Sequence, residues 1–267
     1  MIDLHSHVLP GIDDGADDVE ESVAIAVAAA RWGTTVLAAT PHVRADYPRV
    51  HIYELAEQCE RINERLPDRL GLRVIPAGEV DLLWAQGATE EHLRLVSFEQ
   101  RGTDLLVETP YGTLPDNFEE LLFRLTEKSF RILLAHPERS VAFQRDPARL
   151  GRLVERGVLL QVTVPSIMSA NGKSRSRRLA FDLIEEGLAH NIASDAHSPG
   201  PVRPPALRMG MEAVAKVAPA RAEWMVTDVP AAILAGEPLP PAPKERPRLE
   251  QPPRPAGGWL SRLLGRS

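Results

Sequence analysis

A chain of 267 residues with 43% hydrophobic and 25% charged residues suits one soluble barrel-sized domain better than two small ones. Its net charge of −6 excludes nucleic-acid binding driven by bulk electrostatics, and its single cysteine excludes an internal disulfide. Met1 to His5 carry no basic or long apolar segment, and no apolar helical run is long enough to span a bilayer, so a protein without a signal peptide, in the reducing cytoplasm, is expected.

Residues 2–4 read as a short first strand. A helix follows, capped by Asp17 with Glu20 three residues on. Val19, Val23, Ala26, Val27 and Ala30 recur at helical spacing, and Gly33 suits the stop. Residues 35–40 form a buried-type strand. Residues 52–66 form a second helix with Ile52, Leu55, Ala56, Cys59, Ile62 and Leu66 on one stripe. Strands follow at 72–75, 104–107 and 131–135, with helices at 118–127 and 147–156. Strands at 158–164 and 191–193 flank a helix around 177–186, and a last helix lies near 205–217. Seven strands alternating with helices point to a parallel α/β barrel, incomplete or distorted.

The tail, residues 236–267, differs in composition. It holds eight prolines in 32 residues, with six basic side chains against three acidic ones, while residues 1–235 hold 25 basic against 34 acidic. A run such as Pro238-Leu239-Pro240-Pro241-Ala242-Pro243 builds no core, so a domain over 1–235 and an extended tail over 236–267 are expected. Within the tail, Trp259, Leu260, Leu263 and Leu264 stand beside Arg262 and Arg266. That stretch is either a frayed end or an element that docks on a partner or a membrane surface.

The chemistry sits just after the strands. His5 and His7, Asp14, His42, Glu79, Glu108, His136, and Asp195 with His197 all follow runs that read as strands, and these take five of the eight histidines. A parallel barrel or sheet gathers the C-terminal ends of its strands at one face, so residues spread over about 190 positions can share a site. His5 and His7 are two apart at a strand end and point the same way, as do Asp195 and His197. Carboxylates such as Glu79 and Glu108, each after an apolar run, cost several kcal/mol to bury unless a cation compensates them. Either Asp13 or Asp14 of the turn-rich loop faces the cations, and Asp13 otherwise holds the turn. Imidazole and carboxylate without thiolate suit a hydrolytic cluster of Mn²⁺, Fe²⁺ or Zn²⁺ rather than a structural zinc. Arg139 and Arg203, just beyond two of the clusters, can hold phosphate oxygens in a fork.

One decoy needs weighing. Cys59-Glu60-Arg61-Ile62-Asn63-Glu64-Arg65 matches the C-x5-R pattern of cysteine phosphatases, but it has no glycine and lies on a helical stripe. Its amides belong to a helix and cannot cradle a phosphate. His51, His92 and His190 read as surface residues.

Together the motifs Asp3-Leu4-His5-Ser6-His7-Val8-Leu9-Pro10-Gly11-Ile12-Asp13-Asp14-Gly15, Thr40-Pro41-His42, Ala135-His136-Pro137-Glu138-Arg139 and Ser194-Asp195-Ala196-His197 resemble the PHP (polymerase and histidinol phosphatase) superfamily. The closer resemblance is to its capsule-type branch, the CpsB/YwqE-like manganese-dependent protein tyrosine phosphatases, and it runs from residue 1 to about 217. That resemblance implies a distorted (β/α)7 barrel holding three divalent metal ions, with Mn²⁺ favoured. His5, His7, Glu79 and Asp195 would hold one ion. Glu79, Glu108 and His136 would hold a second, with Glu79 as the bridge, and Asp14, His42 and His197 a third. Arg139 and Arg203 would meet the substrate phosphate. The implied substrate is phosphotyrosine on the tail of a bacterial tyrosine kinase that controls capsular or exopolysaccharide synthesis. The alternative within the superfamily is a small phosphomonoester, histidinol phosphate or a nucleotide. Ser140 stands where the family often has an aromatic, and the proline-rich run before Arg203 departs from its pattern.

Overall fold

Runs such as Leu105-Leu106-Val107 and Ile132-Leu133-Leu134 are buried throughout, which suits parallel strands covered on both faces. The structure, a computed structural model, describes residues 1–110, 112–172 and 174–244. Among them, nine strand segments alternate with helices: β1 (Ile2–Ser6), β2 (Val36–Ala39), β3 (His42–Val43), β4 (Arg73–Pro76), β5 (Glu79–Val80), β6 (Asp104–Glu108), β7 (Arg131–Ala135), β8 (Leu159–Thr163) and β9 (Ala189–Ala193). The helices are α1 (Val19–Arg31), α2 (Leu55–Asn63), α3 (Leu82–Gly87), α4 (Glu90–Val96), α5 (Phe118–Glu127), α6 (Val141–Arg145), α7 (Ala148–Glu155), α8 (Val164–Ile167), α9 (Arg175–Glu185), α10 (Leu207–Ala215), α11 (Pro219–Trp224) and α12 (Asp228–Ala235).

Among the described residues the strands do not join into one sheet. They make two parallel sheets, β1-β2-β4 and β3-β5-β6-β7-β8-β9, and no ladder closes on itself. Two breaks explain the split. Pro41 interrupts the run from β2 to β3 and has no N–H to offer. The next N–H, of His42, goes to the Asp13 carboxylate at 3.1 Å rather than to a strand. The run from β4 to β5 bends likewise at Ala77-Gly78, where a Cβ on Gly78 would meet Val43 Cγ2 at 2.6 Å. At the other seam β1 and the end of β9 meet only at the isolated bridge between Ser6 and Ala196.

Helix α1 begins one residue later than its sequence suggests. Asp18 is the cap, accepting from the Glu21 N–H at 2.8 Å, while Asp17 donates its own N–H to the Glu21 carboxylate at 2.9 Å. Cys59 and Ile62 of α2 are buried against the sheets, as their stripe predicts. His190 is not a surface residue: it lies in β9, half-buried, and its Nδ1 accepts the Leu160 N–H at 3.2 Å. The first tail residues lie on the body. Arg131 Nη1 donates to the Glu237 carbonyl at 2.7 Å, Trp224 Nε1 donates to that of Pro240 at 3.3 Å, and Leu239 packs on the core. The candidate docking stretch 259–266 lies outside the described residues.

Candidate metal centre

Two strand ends set the frame. His7 donates its backbone N–H to the Ala196 carbonyl at 2.8 Å, and Asp195 donates its own to His5 at 2.9 Å, so the His5–His7 and Asp195–His197 pairs lie side by side. The buried Asp3 carboxylate ties the same seam, taking the Ser194 N–H on Oδ1 at 3.0 Å. Burial pushes Asp3 up to about 6, against the hydrogen bonds from Ser194. Along the second sheet His42 of β3 is in register with Glu79 of β5, and Glu108 of β6 with Ala135 of β7, just before His136. All nine side chains singled out in the sequence therefore reach one place.

They fall into overlapping clusters whose ligand atoms lie within 4.8 Å of one another: His7, Asp14, His42 and His197; His5, His7 and Asp195; His5, Glu79 and His136; and His42, Glu79 and Glu108. Glu79, His5, His7 and His42 each take part in two clusters, and of these only Glu79 is a carboxylate. Glu108 groups with His42 and Glu79 rather than with His136, which departs from the set the family resemblance implies.

The imidazoles are aimed. His5 Nδ1 lies 2.8 Å from Gln161 Oε1, His7 Nδ1 2.7 Å from Asp13 Oδ2, and His197 Nδ1 3.0 Å from the Asp195 carbonyl. Each partner is an acceptor, so each Nδ1 carries a proton and Nε2 is the ring nitrogen that faces inward, where a cation can take the place of its proton. Asp13 therefore holds the loop and the His7 ring, accepting also from the Gly15 N–H at 3.1 Å, and Asp14 is the aspartate that faces the cluster.

Whether cations fit can be tested on these atoms. His5 Nε2 and His7 Nε2 face each other at 3.3 Å. Each is 3.4 to 3.5 Å from Glu79 Oε2 and 3.5 Å from Asp195 Oδ1. Ligands about 2.1 Å from one ion and 90–110° apart are roughly 3.0–3.4 Å from each other. Buried Glu79 Oε2 and His197 Nε2 also make no directed hydrogen bond. Spacing and orphaned atoms both suit a shared cation.

The charges follow suit. Burial opposes ionisation of Glu79, but His5 and His136 hold its carboxyl well below the usual range. Asp195 behaves likewise under His5 and Arg139. Burial and the neighbouring Glu79 push Glu108 up to about 7. Burial works against charge on His7, but the Asp13 carboxylate prevails and raises it to about 9. His197, buried beside His7, falls to about 4. An acidic set this dense is built to balance several positive charges.

Arginines ring the cluster. Arg139 Nη1 lies 2.7 Å from Asp195 Oδ2, and its Nη2 donates to Thr163 Oγ1 at 2.8 Å. Arg203 Nη2 donates to Asp195 Oδ1 at 2.7 Å, from a residue in the left-handed region at φ 52°. His136 and Asp195 share that uncommon backbone, at φ 36° and 53°, a conformation that costs energy and recurs at functional sites. Three neighbours escaped the sequence reading. Arg44 donates to both Glu108 oxygens, at 3.1 and 3.2 Å, Tyr47 stacks on the His42 ring at 5.0 Å, and Gln161 supports His5. Only Gln161, a buried polar side chain in an apolar strand run, left a signal.

Comparison with known proteins agrees with this geometry. Residues 1–235 match the family described as "Capsular polysaccharide synthesis, CpsB/CapC". The chain is 34% identical over 202 residues to the tyrosine-protein phosphatase YwqE of Bacillus subtilis (strain 168), covering 74% of this chain and 78% of that protein. It is 26% identical over 231 residues to the tyrosine-protein phosphatase CpsB of Streptococcus pneumoniae, covering 81% and 90%. The fold matches a structure from the crystallography of YwqE and CpsB, described as "unique metal-dependent tyrosine phosphatases", with TM-score 0.78 and 29% identity, covering 92% of this chain and 100% of that one.

Proposed function

The chain belongs to the CpsB/CapC family of capsular polysaccharide synthesis, and from that premise we propose that it is a metal-dependent phosphatase of phosphotyrosine proteins. The observation that carries the proposal is the convergence of five imidazoles and four carboxylates on one cluster, ringed by arginines. His5, His7, Asp14, His42, Glu79, Glu108, His136, Asp195 and His197 would hold the divalent cations, three in number with Mn²⁺ favoured. When bound, such ions lower the pKa of a water and stabilise charge building on phosphoryl oxygens.

The remaining work falls to this chain's own side chains. Arg139 and Arg203 take the phosphoryl oxygens, turning from the Asp195 carboxylate they hold here. Arg44, with its side chain about a third exposed beside Glu108, adds a third positive charge at the rim. Asp13 and Gln161 keep His7 and His5 in their ligating orientation. Tyr47, lying against His42, offers an aromatic surface to the substrate ring.

The substrate is the phosphorylated tail of a bacterial tyrosine kinase acting in capsular or exopolysaccharide synthesis, and the setting is the cytoplasm, which suits a chain whose one cysteine is free. No helix among the described residues is long and apolar enough to cross a membrane. The two sheets are read as a distorted seven-stranded barrel opened at Pro41 and at the Ser6–Ala196 seam, spanning residues 1–235, with the stretch 259–266 of the proline-rich tail as the element that docks on a partner or membrane surface.

Metal-stripped protein should release no phosphate from a phosphotyrosine peptide and should recover on addition of Mn²⁺. Its kcat/KM for the peptide should exceed that for histidinol phosphate. Full activity in the presence of chelator would overturn the metal reading, and a preference for histidinol phosphate would overturn the substrate.

A further inference from the structure

We infer that Gln161 and Asn191 are positioning residues: a buried chain of amides running from the Met225 carbonyl fixes which ring nitrogen of His5 faces the cations. The role given to His5 rests on the metal-centre reading above.

Gln161 of β8 and Asn191 of β9 are register partners, and both are fully buried. Asn191 Nδ2 donates to the Met225 carbonyl at 2.9 Å, Gln161 Nε2 donates to Asn191 Oδ1 at 2.8 Å, and Gln161 Oε1 faces His5 Nδ1 at 2.8 Å. The polarity of the chain has one solution. A backbone carbonyl can only accept, so Asn191 must turn its NH₂ towards Met225 and its oxygen towards Gln161. Gln161 must then give its NH₂ to Asn191 and show its oxygen to His5. An amide oxygen cannot donate, so His5 Nδ1 must carry the proton. Reversing any link sets donor against donor or acceptor against acceptor in a buried place.

The consequence appears at the other side of the ring. His5 Nε2 is left as the nitrogen that faces the cluster, held 3.3 Å from His7 Nε2 and 3.4 Å from Glu79 Oε2. The anchor is firm, because Met225 follows the last residue of α11 and its carbonyl also receives the Ile192 N–H. A helix end behind the sheet thereby sets the tautomer of a side chain on the first strand.

A purely structural role for these amides would alter stability alone. The positioning role alters the His5 tautomer and the affinity for metal. The full chain, stripped of metal and labelled with ¹⁵N-histidine, should show His5 with Nδ1 as its protonated nitrogen in the neutral ring. Gln161→Met, which keeps length and loses the acceptor, should move the proton to Nε2 in part or in full. It should also weaken Mn²⁺ binding by about 10–100-fold. Gln161→Glu, which keeps an acceptor against Nδ1, should restore the Nδ1–H form.

A wild-type His5 protonated on Nε2 would overturn the inference, as would a Gln161→Met protein with unchanged tautomer and Mn²⁺ affinity. If Gln161→Met does not fold, the wild-type spectrum and Asn191→Leu, which frees the Gln161 amide to turn, decide the matter in the same way. Failure of the wild-type protein to bind Mn²⁺, with His5 still protonated on Nδ1, would strike at the metal centre and leave the amide chain standing.

Discussion

Arg139 is one of the two arginines that the proposed function assigns to the substrate's phosphoryl oxygens. It uses both terminal nitrogens at once, one on Asp195 and one on Thr163, and Thr163 is itself braced by Glu138. A lysine keeps the charge and loses the fork. Arg139→Lys should therefore lower kcat/KM on a phosphotyrosine peptide by roughly 10–100-fold with metal content unchanged, which steady-state kinetics beside metal analysis will show. The thiol at Cys59 offers the opposite expectation. It is fully buried within α2, and burial pushes its pKa well up, so no thiolate forms there. Arg65, the arginine of the C-x5-R match, pairs with Glu20 at 2.9 Å. Cys59→Ala should keep activity within about twofold while lowering stability by ~1 kcal/mol, whereas a cysteine-phosphatase mechanism demands complete loss.

At the scale of elements, β9 carries a titration unrelated to catalysis. Burial, and then Arg221 nearby, lower His190 from 6.5 to about 4, and its Nδ1 is occupied by the Leu160 N–H. The folded protein thus holds this ring neutral where the unfolded chain would protonate it. Its contribution is complete above about pH 6.5 and is lost as pH falls towards 4, on the order of 3 kcal/mol in all. Urea midpoints measured across that interval should fall less steeply for His190→Gln than for the wild type. Elements also mark how far sequence reasoning reached. Long apolar runs such as β6 and β7 were legible because both faces are covered. The short β3 and β5 were not, since Pro41 and Gly78 break them into pairs too brief to show a period. Helices α3 and α4 were missed, at only six and seven residues. The nine clustered side chains were legible because recurrence after strands is a pattern along the chain. Arg44 and Tyr47 were not, because each matters through a neighbour that only the fold supplies. The division into two sheets was not legible either, because at Pro41 it goes with the turn of the His42 N–H to Asp13, which no periodicity encodes.

On the scale of the whole molecule, the boundary between body and tail is set by contacts rather than by composition. Glu237, Leu239 and Pro240 rest on Arg131, the core and Trp224, so the proline-rich stretch begins as part of the body. A chain ending at Lys244 should match the full chain in kcat/KM within about twofold. One ending at Ala235 should lose about 1–2 kcal/mol of stability, read from thermal or urea unfolding, by forfeiting those contacts. The Ser6–Ala196 seam has a consequence for how the protein comes into being. Two of the donors that meet there, His5 and His7, leave the ribosome first, and Asp195 and His197 emerge almost two hundred residues later. Nascent chains therefore have no complete centre with which to capture metal or attack phosphoproteins, and competence arrives in one step, when translation of the domain is nearly done.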